Sequence, residues 1–197
     1  MPANAVIFDF DGTLVDTLPW HYEAYRRVLA ELGLELTEAA FRATLGGKAT
    51  ETIPQMIAGR PCASSVADIH RRKKALVAQM FASEDVSVLE TARLIPVFHG
   101  RLALAIASSG SREGIEILLG RLGWREYFSV VVTGEDVFRG KPAPDLFLVA
   151  ARRLAVAPAE CLVFEDTTAG VEAAGAAGMQ VFDVRRTVSH WSLPIVA

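Results

Sequence analysis

The apolar residues of this chain fall into short unbroken runs, separated by segments of helical period. The runs are Val6-Ile7-Phe8, Leu102 to Ile106, Val130-Val131-Val132, Leu162-Val163-Phe164 and Val181-Phe182. Each is too short for a helix and carries no polar alternation, which predicts strands buried on both faces. Between them the period changes. Ile115, Leu118, Leu119 and Leu122 stand at i, i+3, i+4 and i+7, and Gly123 is placed to end that helix. Phe147, Ala150, Ala151 and Leu154 repeat the spacing ahead of Pro158, and Gly170 to Ala177 reads as an alanine-rich helix stopped near Gly178. Strands alternating with helices imply βαβ units, hence an α/β, Rossmann-like parallel sheet with helices on both faces.

One interval breaks the rhythm. Phe8 and Leu102 lie more than 90 residues apart, whereas later strands follow one another after about 20 to 30. The stretch from Leu18 to Asp85 reads as helices only. Ala24, Val28 and Leu32 form one stripe closed by Gly33, and Ala67 to Ala82 forms another with Ile69, Leu76, Val77 and Met80 apolar. Gly59-Arg60-Pro61 is the break between them. A core of residues 1–17 and 86–197 with an inserted small all-helical domain, 18–85, is the economical expectation, and a chain of 197 residues has room for both.

Composition then removes several classes. Hydrophobic residues make up 51% and charged residues 22%, enough for a packed core and too apolar for a disordered chain. Lys and Arg number 20 against 23 Asp and Glu, a net charge of -3 that argues against a nucleic-acid partner. No apolar run approaches the ~20 residues of a bilayer span, so no membrane partner is expected. The start, MPANAVIFDFDG, lacks the basic residues and cleavage site of a signal peptide. Cys62 and Cys161 are far apart without metal-binding spacing, and read as reduced thiols of a cytoplasmic protein.

Candidate chemistry gathers where an open α/β sheet binds ligands, at the carboxyl ends of its strands. Strand one is followed by Asp9-Phe10-Asp11-Gly12-Thr13, and strand two by Ser108-Ser109-Gly110-Ser111. The loop after strand three reaches Gly140-Lys141-Pro142, and strand four ends in Glu165-Asp166. Asp9 and Asp11 alternate, so both can project near one point while Phe10 turns into the core. Gly12 permits the tight turn, and Thr13 can cap the backbone that follows. Glu165 and Asp166 complete an oxygen-rich set suited to Mg²⁺, which keeps part of its hydration shell and shares ligands with phosphate. Lys141 and such a cation offset carboxylate repulsion and leave one Asp ionised as a nucleophile. Ser108, with the amides that open the next helix, makes a phosphate cradle, while Ser111 reads as a helix N-cap. Gly134 to Lys141 is no P-loop, because Pro142 stands where a metal-holding Ser or Thr is required.

DFDGTLVDT (Asp9 to Thr17), Ser108, GKPAPD (Gly140 to Asp145) and FEDTTAGVEAAGAAGM (Phe164 to Met179) together resemble the four motifs of the haloacid dehalogenase-like superfamily of aspartyl phosphotransferases. The similarity runs from about Asn4 to Val184, and is closest to the superfamily's beta-phosphoglucomutase-like sugar phosphatases. The resemblance implies Mg²⁺-dependent hydrolysis of a small sugar-phosphate-type monoester through an aspartyl phosphate. In it Asp9 is the nucleophile and Asp11 the general acid and base. Asp9, the Asp11 main-chain carbonyl, Glu165 and Asp166 hold Mg²⁺, and Ser108, the Ser109 amide and Lys141 hold the phosphoryl oxygens. It further implies that the helical insertion is a cap presenting His21, Gly46, Gly47, Lys48 and Lys73 to the substrate. Arg71, Arg72, Lys73 and Lys74 are consecutive on a helix, so at most one or two can reach that pocket.

One departure separates the readings. Thr50 stands where phosphoglucomutases carry an arginine that grips a distal phosphate, which favours hydrolysis over mutase activity. A non-catalytic binding or regulatory protein on the same fold is the remaining alternative, against which Asp9, Asp11 and Lys141 are all retained. The expected partner is a small phosphorylated metabolite, and the expected state a monomer or weak homo-oligomer. The apolar tail Val188 to Ala197, with Trp191 and Pro194, has no assigned role.

Overall fold

A computed structural model describes residues 3–45, 47 and 49–186. In chain order its first half comprises β1 (Ala5–Phe8), β2 (Val15–Asp16), α1 (Leu18–Ala30), α2 (Glu38–Arg42), α3 (Ala49–Ile57), α4 (Val66–Ser83) and β3 (Ser87–Val88). There follow α5 (Ile95–Phe98), β4 (Ala103–Ser108), α6 (Arg112–Arg121), β5 (Val130–Thr133), α7 (Asp145–Leu154), β6 (Cys161–Glu165), α8 (Thr168–Ala176) and β7 (Gln180–Asp183). Five of the strands form one sheet in the order β5-β4-β1-β6-β7, parallel throughout. The architecture is the α/β, Rossmann-like one that the apolar runs predict.

Alternation along each strand sends side chains to two separate cores. Val6, Phe8, Leu104, Ile106 and Phe164 face one side, where Ile115, Leu118 and Leu119 of α6 and Phe98 of α5 cover them. Phe8 stacks on Phe164 at 5.1 Å between ring centroids. Ala5, Ile7, Ala105 and Val163 face the other side, beneath Leu146, Phe147, Ala150 and Ala151 of α7 and Ala173 and Ala174 of α8. Burying Phe147 alone is worth about 1.5–3 kcal/mol, and the small residues of α8 let its backbone lie close to the sheet.

The inserted helices have a third core, built from Tyr25, Val28 and Leu29 of α1, Phe41 of α2, Ile53 and Met56 of α3 and Ile69 of α4. Ser65 starts α4 by accepting a hydrogen bond from the Asp68 amide at 3.1 Å. Farther along, the same helix leaves this core. Its Val77, Met80 and Phe81 pack into the sheet's own cluster, so α4 ties the insertion to the sheet.

Three details differ from the sequence reading. The α1 stripe ends at Ala30 rather than at Leu32, because the chain leaves the helix through Gly33 at φ +73°. The second strand starts at Ala103 and runs to Ser108, two residues beyond the apolar run, since Ala107 and Ser108 still pair with Val132 and Thr133 of β5. The antiparallel pair β2–β3, Val15 opposite Val88 and Asp16 opposite Ser87, has no sequence signal, because two residues are too few to show a period. No described helix is long and apolar enough to cross a membrane. Gly46, Lys48 and the tail Val188 to Ala197 lie outside the described residues.

Candidate active site

β1 is the central strand, with β4 on one side and β6 on the other. Its carboxyl end is therefore the crevice where the chain reverses direction of winding. Asp9 leaves this end buried, with the Lys141 ammonium donating to its Oδ1 at 2.5 Å. Lys141 also donates to Glu165 Oε1 at 3.1 Å and is only 2% exposed. Burial by itself lowers a lysine's proton affinity, but the Asp9 and Glu165 carboxylates outweigh it and raise that affinity. Lys141 is thus a fixed cation joining the loop after β5 to the ends of β1 and β6.

Glu165 is wholly buried at the end of β6. Its Oε2 accepts from the amides of Asp166 and Thr167, and its Oε1 accepts from the Thr167 hydroxyl as well as from Lys141. Gly170 makes room for it, since a Cβ there would stand 1.9 Å from Oε1. Asp166 reaches over the turn after β1 and accepts from the Thr13 hydroxyl at 3.1 Å. That hydroxyl thus has a use beyond the local turn that the sequence suggests, donating its proton across the sheet. Gly12 sits at φ +87°, and a Cβ on it would meet Asp166 Oδ2 at 2.3 Å. Only glycine satisfies both the turn and the approach.

Asp9, Glu165 and Asp166 each offer an oxygen within 4.8 Å of the others. Burial first, then the charges of Glu165, Asp166 and Asp11, raises the Asp9 carboxyl well above the usual range in spite of Lys141. Burial and Glu165 bring Asp166 up to about 6. The cluster thus holds more negative charge than one lysine neutralises, and a hard dication with oxygen ligands fits that donor set. The Asp11 carboxylate is outside it.

Asp11 belongs instead to a chain of polar contacts that leads into the inserted helices. Its Oδ1 accepts from the Thr17 hydroxyl at 2.5 Å and faces His21 Nε2 at 3.2 Å, while Ser108 Oγ donates to its Oδ2 at 3.2 Å. Lys73 Nζ stands 2.6 Å from His21 Nδ1. An ammonium can only donate, so Nδ1 is the acceptor and Nε2 carries the proton toward Asp11. Burial and then Lys73 lower the proton affinity of His21 against the pull of Asp11, which keeps the ring neutral. Burial would raise the Asp11 carboxyl, but His21, Thr17 and Lys73 outweigh it and hold it at about 2. Burial lowers Lys73 to about 8, with Asp11 opposing and Lys74 adding to the fall.

Asp9, Asp11, His21, Gly47, Lys73, Ser108, Ser109, Lys141 and Glu165 all line one cavity of about 120 Å³. Among the four consecutive bases, Arg71 pairs with Asp68 and Arg72 with Glu31, while Lys73 and Lys74 reach the cavity. Ser108 Oγ accepts from the Gly110 amide at 3.0 Å, and Ser111 caps α6 through the Gly114 amide, as its position suggests. Thr17 is a site residue that the sequence reading missed. It occupies the N-cap position of α1 but makes no capping bond, because its hydroxyl is turned to Asp11. The signal was its place in the same motif as Asp9 and Asp11.

A family model described as haloacid dehalogenase-like hydrolase matches residues 6–184. Fructose-1-phosphate phosphatase YqaB of Escherichia coli is 39% identical over 180 residues, covering 91% of this chain and 95% of that protein. The phosphorylated carbohydrates phosphatase of Thermotoga maritima is 38% identical over 181 residues, covering 90% of this chain and 82% of that protein. The crystal structure of CbbY from Rhodobacter sphaeroides in complex with phosphate superposes with a TM-score of 0.83 at 30% identity, covering 91% of this chain and 84% of that one. With the signature spanning nearly all the described residues and the strand ends carrying its acidic and basic groups, the chain belongs to the haloacid dehalogenase-like hydrolase family.

Proposed function

We propose that the protein is a Mg²⁺-dependent phosphatase of small sugar-phosphate-type monoesters, acting through an aspartyl-phosphate intermediate. The observation that carries this reading is the shared cavity in which Asp9, paired to Lys141, lies beside Asp11 and Ser108. The names of the relatives in Escherichia coli and Thermotoga maritima support the substrate class. The cavity's size suits a small metabolite rather than a protein or nucleic acid. Residues 18–85 would act as a cap over a core of 1–17 and 86–197. The two free cysteines fit a reducing compartment, so the cytoplasm is the proposed place of action.

Mg²⁺ would be held by the carboxylates of Asp9, Glu165 and Asp166 and by the Asp11 main-chain carbonyl, and would neutralise charge on the phosphoryl oxygens. The chain's own residues carry the rest. An oxygen of Asp9 attacks phosphorus, and the bond from phosphorus to the ester oxygen breaks. Asp11 gives its proton to the departing alkoxide. Held near 2 by its neighbours, Asp11 gains proton affinity when a phosphate dianion sits beside Asp9, through like charge. Ionised again, it takes a proton from the water that attacks the aspartyl phosphate, which releases inorganic phosphate and restores Asp9. Lys141, Ser108 and the Ser109 amide stabilise the transferring oxygens, while Thr17 and His21 orient Asp11. Uncatalysed monoester hydrolysis calls for enhancements of up to ~10²¹. A single acid or base supplies ~10²–10⁴, so the full constellation is required.

The test is phosphate release from a panel of sugar phosphates with and without Mg²⁺. Asp9→Asn should eliminate release while circular dichroism reports a folded chain. Unchanged turnover would overturn the nucleophile assignment. Conversion of glucose 1-phosphate to glucose 6-phosphate faster than phosphate release would make the protein a mutase instead.

A further inference from the structure

The α4 helix places a second histidine at the cavity. His70 lines it three residues before Lys73, and it also borders a smaller hollow of about 100 Å³ with Thr50, Ser111, Gly134 and Glu135. Its Nδ1 is sealed from water and has no hydrogen-bond partner among the described residues. Buried polar atoms are nearly always paired, so among the described residues this nitrogen stands out, and it can meet a ligand in the cavity only when the ring turns. The neighbouring groups are committed elsewhere. Lys73 faces His21, Lys74 binds Glu135 Oε1 at 2.5 Å, and Arg112 binds Asp136.

The charge of this corner decides which partner fits. Burial, then Lys73 and Lys74, lowers the proton affinity of His70 while Glu135 opposes, so the ring is neutral, with one donor and one acceptor. Lys74 is paired with Glu135 and Lys73 faces His21, so neither lysine of this corner is left without a partner to grip a second phosphate. A neutral imidazole next to the Thr50 and Ser111 hydroxyls suits another hydroxyl. Turning the ring about χ2 exchanges nitrogen for carbon with little change in shape, so either ring nitrogen can meet it.

We propose that His70 is a specificity-determining residue that hydrogen-bonds a hydroxyl on the substrate's carbon chain, remote from the phosphate, and so selects polyol monophosphates. This rests on the phosphatase reading, and the experiment separates the two. Kinetic constants are measured with Mg²⁺ for wild type, His70→Leu, His70→Asn and His70→Gln. The probes are fructose 1-phosphate, which has hydroxyls, and p-nitrophenyl phosphate, which has none.

His70→Leu should raise KM for fructose 1-phosphate about tenfold with kcat little changed, and leave p-nitrophenyl phosphate within twofold of wild type. His70→Asn or His70→Gln, which keep a polar atom near one ring nitrogen or the other, should recover part of the loss. An equal loss on both probes, or no change on fructose 1-phosphate, would overturn the proposal. If wild type hydrolyses neither these probes nor any member of the sugar-phosphate panel, the phosphatase reading fails, and binding is read from the thermal shift that fructose 1-phosphate produces. A shift lost in His70→Leu then supports the hydroxyl contact, and an undiminished or absent shift overturns it.

Discussion

Asp136 anchors the loop that delivers Lys141, and its contribution to stability can be read from its contacts. Its Oδ2 accepts from Arg112 at 2.5 Å, from the Thr133 amide at 2.8 Å and from the Thr133 hydroxyl at 3.0 Å. Its Oδ1 accepts from Arg153 at 2.7 Å, so one carboxylate joins the end of β5 to the first turn of α6 and the last of α7. Burial would raise its pKa, but Arg153, Thr133 and Arg112 outweigh that and bring it from 3.8 to about 2. At ~1.4 kcal/mol per pH unit, the displacement corresponds to at most about 2.4 kcal/mol. Arg112 and Arg153 are 40% and 39% exposed, and solvent screening reduces the expected contribution to about 1–2 kcal/mol. A carboxyl whose folded pKa is depressed stabilises the fold above its unfolded pKa and loses that effect as pH falls through the folded value. Urea unfolding of wild type and Asp136→Asn should therefore differ by about 1–2 kcal/mol above pH ~5, with the gap closing toward pH ~2. A gap that stays constant from neutral to acid pH, or widens on acidification, would refute the charge argument and leave only packing.

Three further outcomes are expected. Removing divalent metal with a chelator should abolish phosphate release, and restoring Mg²⁺ at a hundredfold excess over Kd should stabilise wild type by about 2.7 kcal/mol but not Asp166→Asn, as read by thermal unfolding. Gly12→Ala should cost more than ~1 kcal/mol in urea and lose activity, because of φ +87° and a Cβ 2.3 Å from Asp166; an unchanged midpoint would contradict the close approach. Lys73, lowered to about 8, is charged below that pH and neutral above it, so kcat/KM for a sugar phosphate should fall on the alkaline side. Lys73→Arg should move that limb to higher pH, and an identical profile in the variant would remove Lys73 from the site.

Much of the fold was legible because it rests on local periods. Unbroken runs such as Leu162-Val163-Phe164, too short for a helix and alternating with helical segments, read as strands covered on both faces, and the 3.6-residue spacing of α6 and α7 needs no tertiary information. The residues that gather at the strand ends were legible for the same reason: the rule that places a ligand at the carboxyl end of a parallel sheet converts strand positions directly into Asp9, Asp11, Ser108, Lys141, Glu165 and Asp166. Thr17 and Thr13 were not legible, since a hydroxyl after a turn or before a helix has a local use by default. Only packing shows that these two turn instead to Asp11 and Asp166.

By itself, then, the sequence determined the order of the elements, the presence of a helical insertion and the identity of the groups at the sheet's edge. All of these follow from near-neighbour chemistry. The tertiary structure decided which distant groups meet. It sealed Glu165 between Lys141 and the start of α8, set Lys73 against His21 and His21 against Asp11, and paired Lys74 with Glu135. Among four consecutive bases on α4, helical rotation paired Arg71 with Asp68 and Arg72 with Glu31 and brought Lys73 and Lys74 to the cavity lining. It also left His70 with a buried nitrogen and no partner. Spacing along the chain carries none of this, because each contact joins segments whose separation only the packed cores bring to a few ångströms.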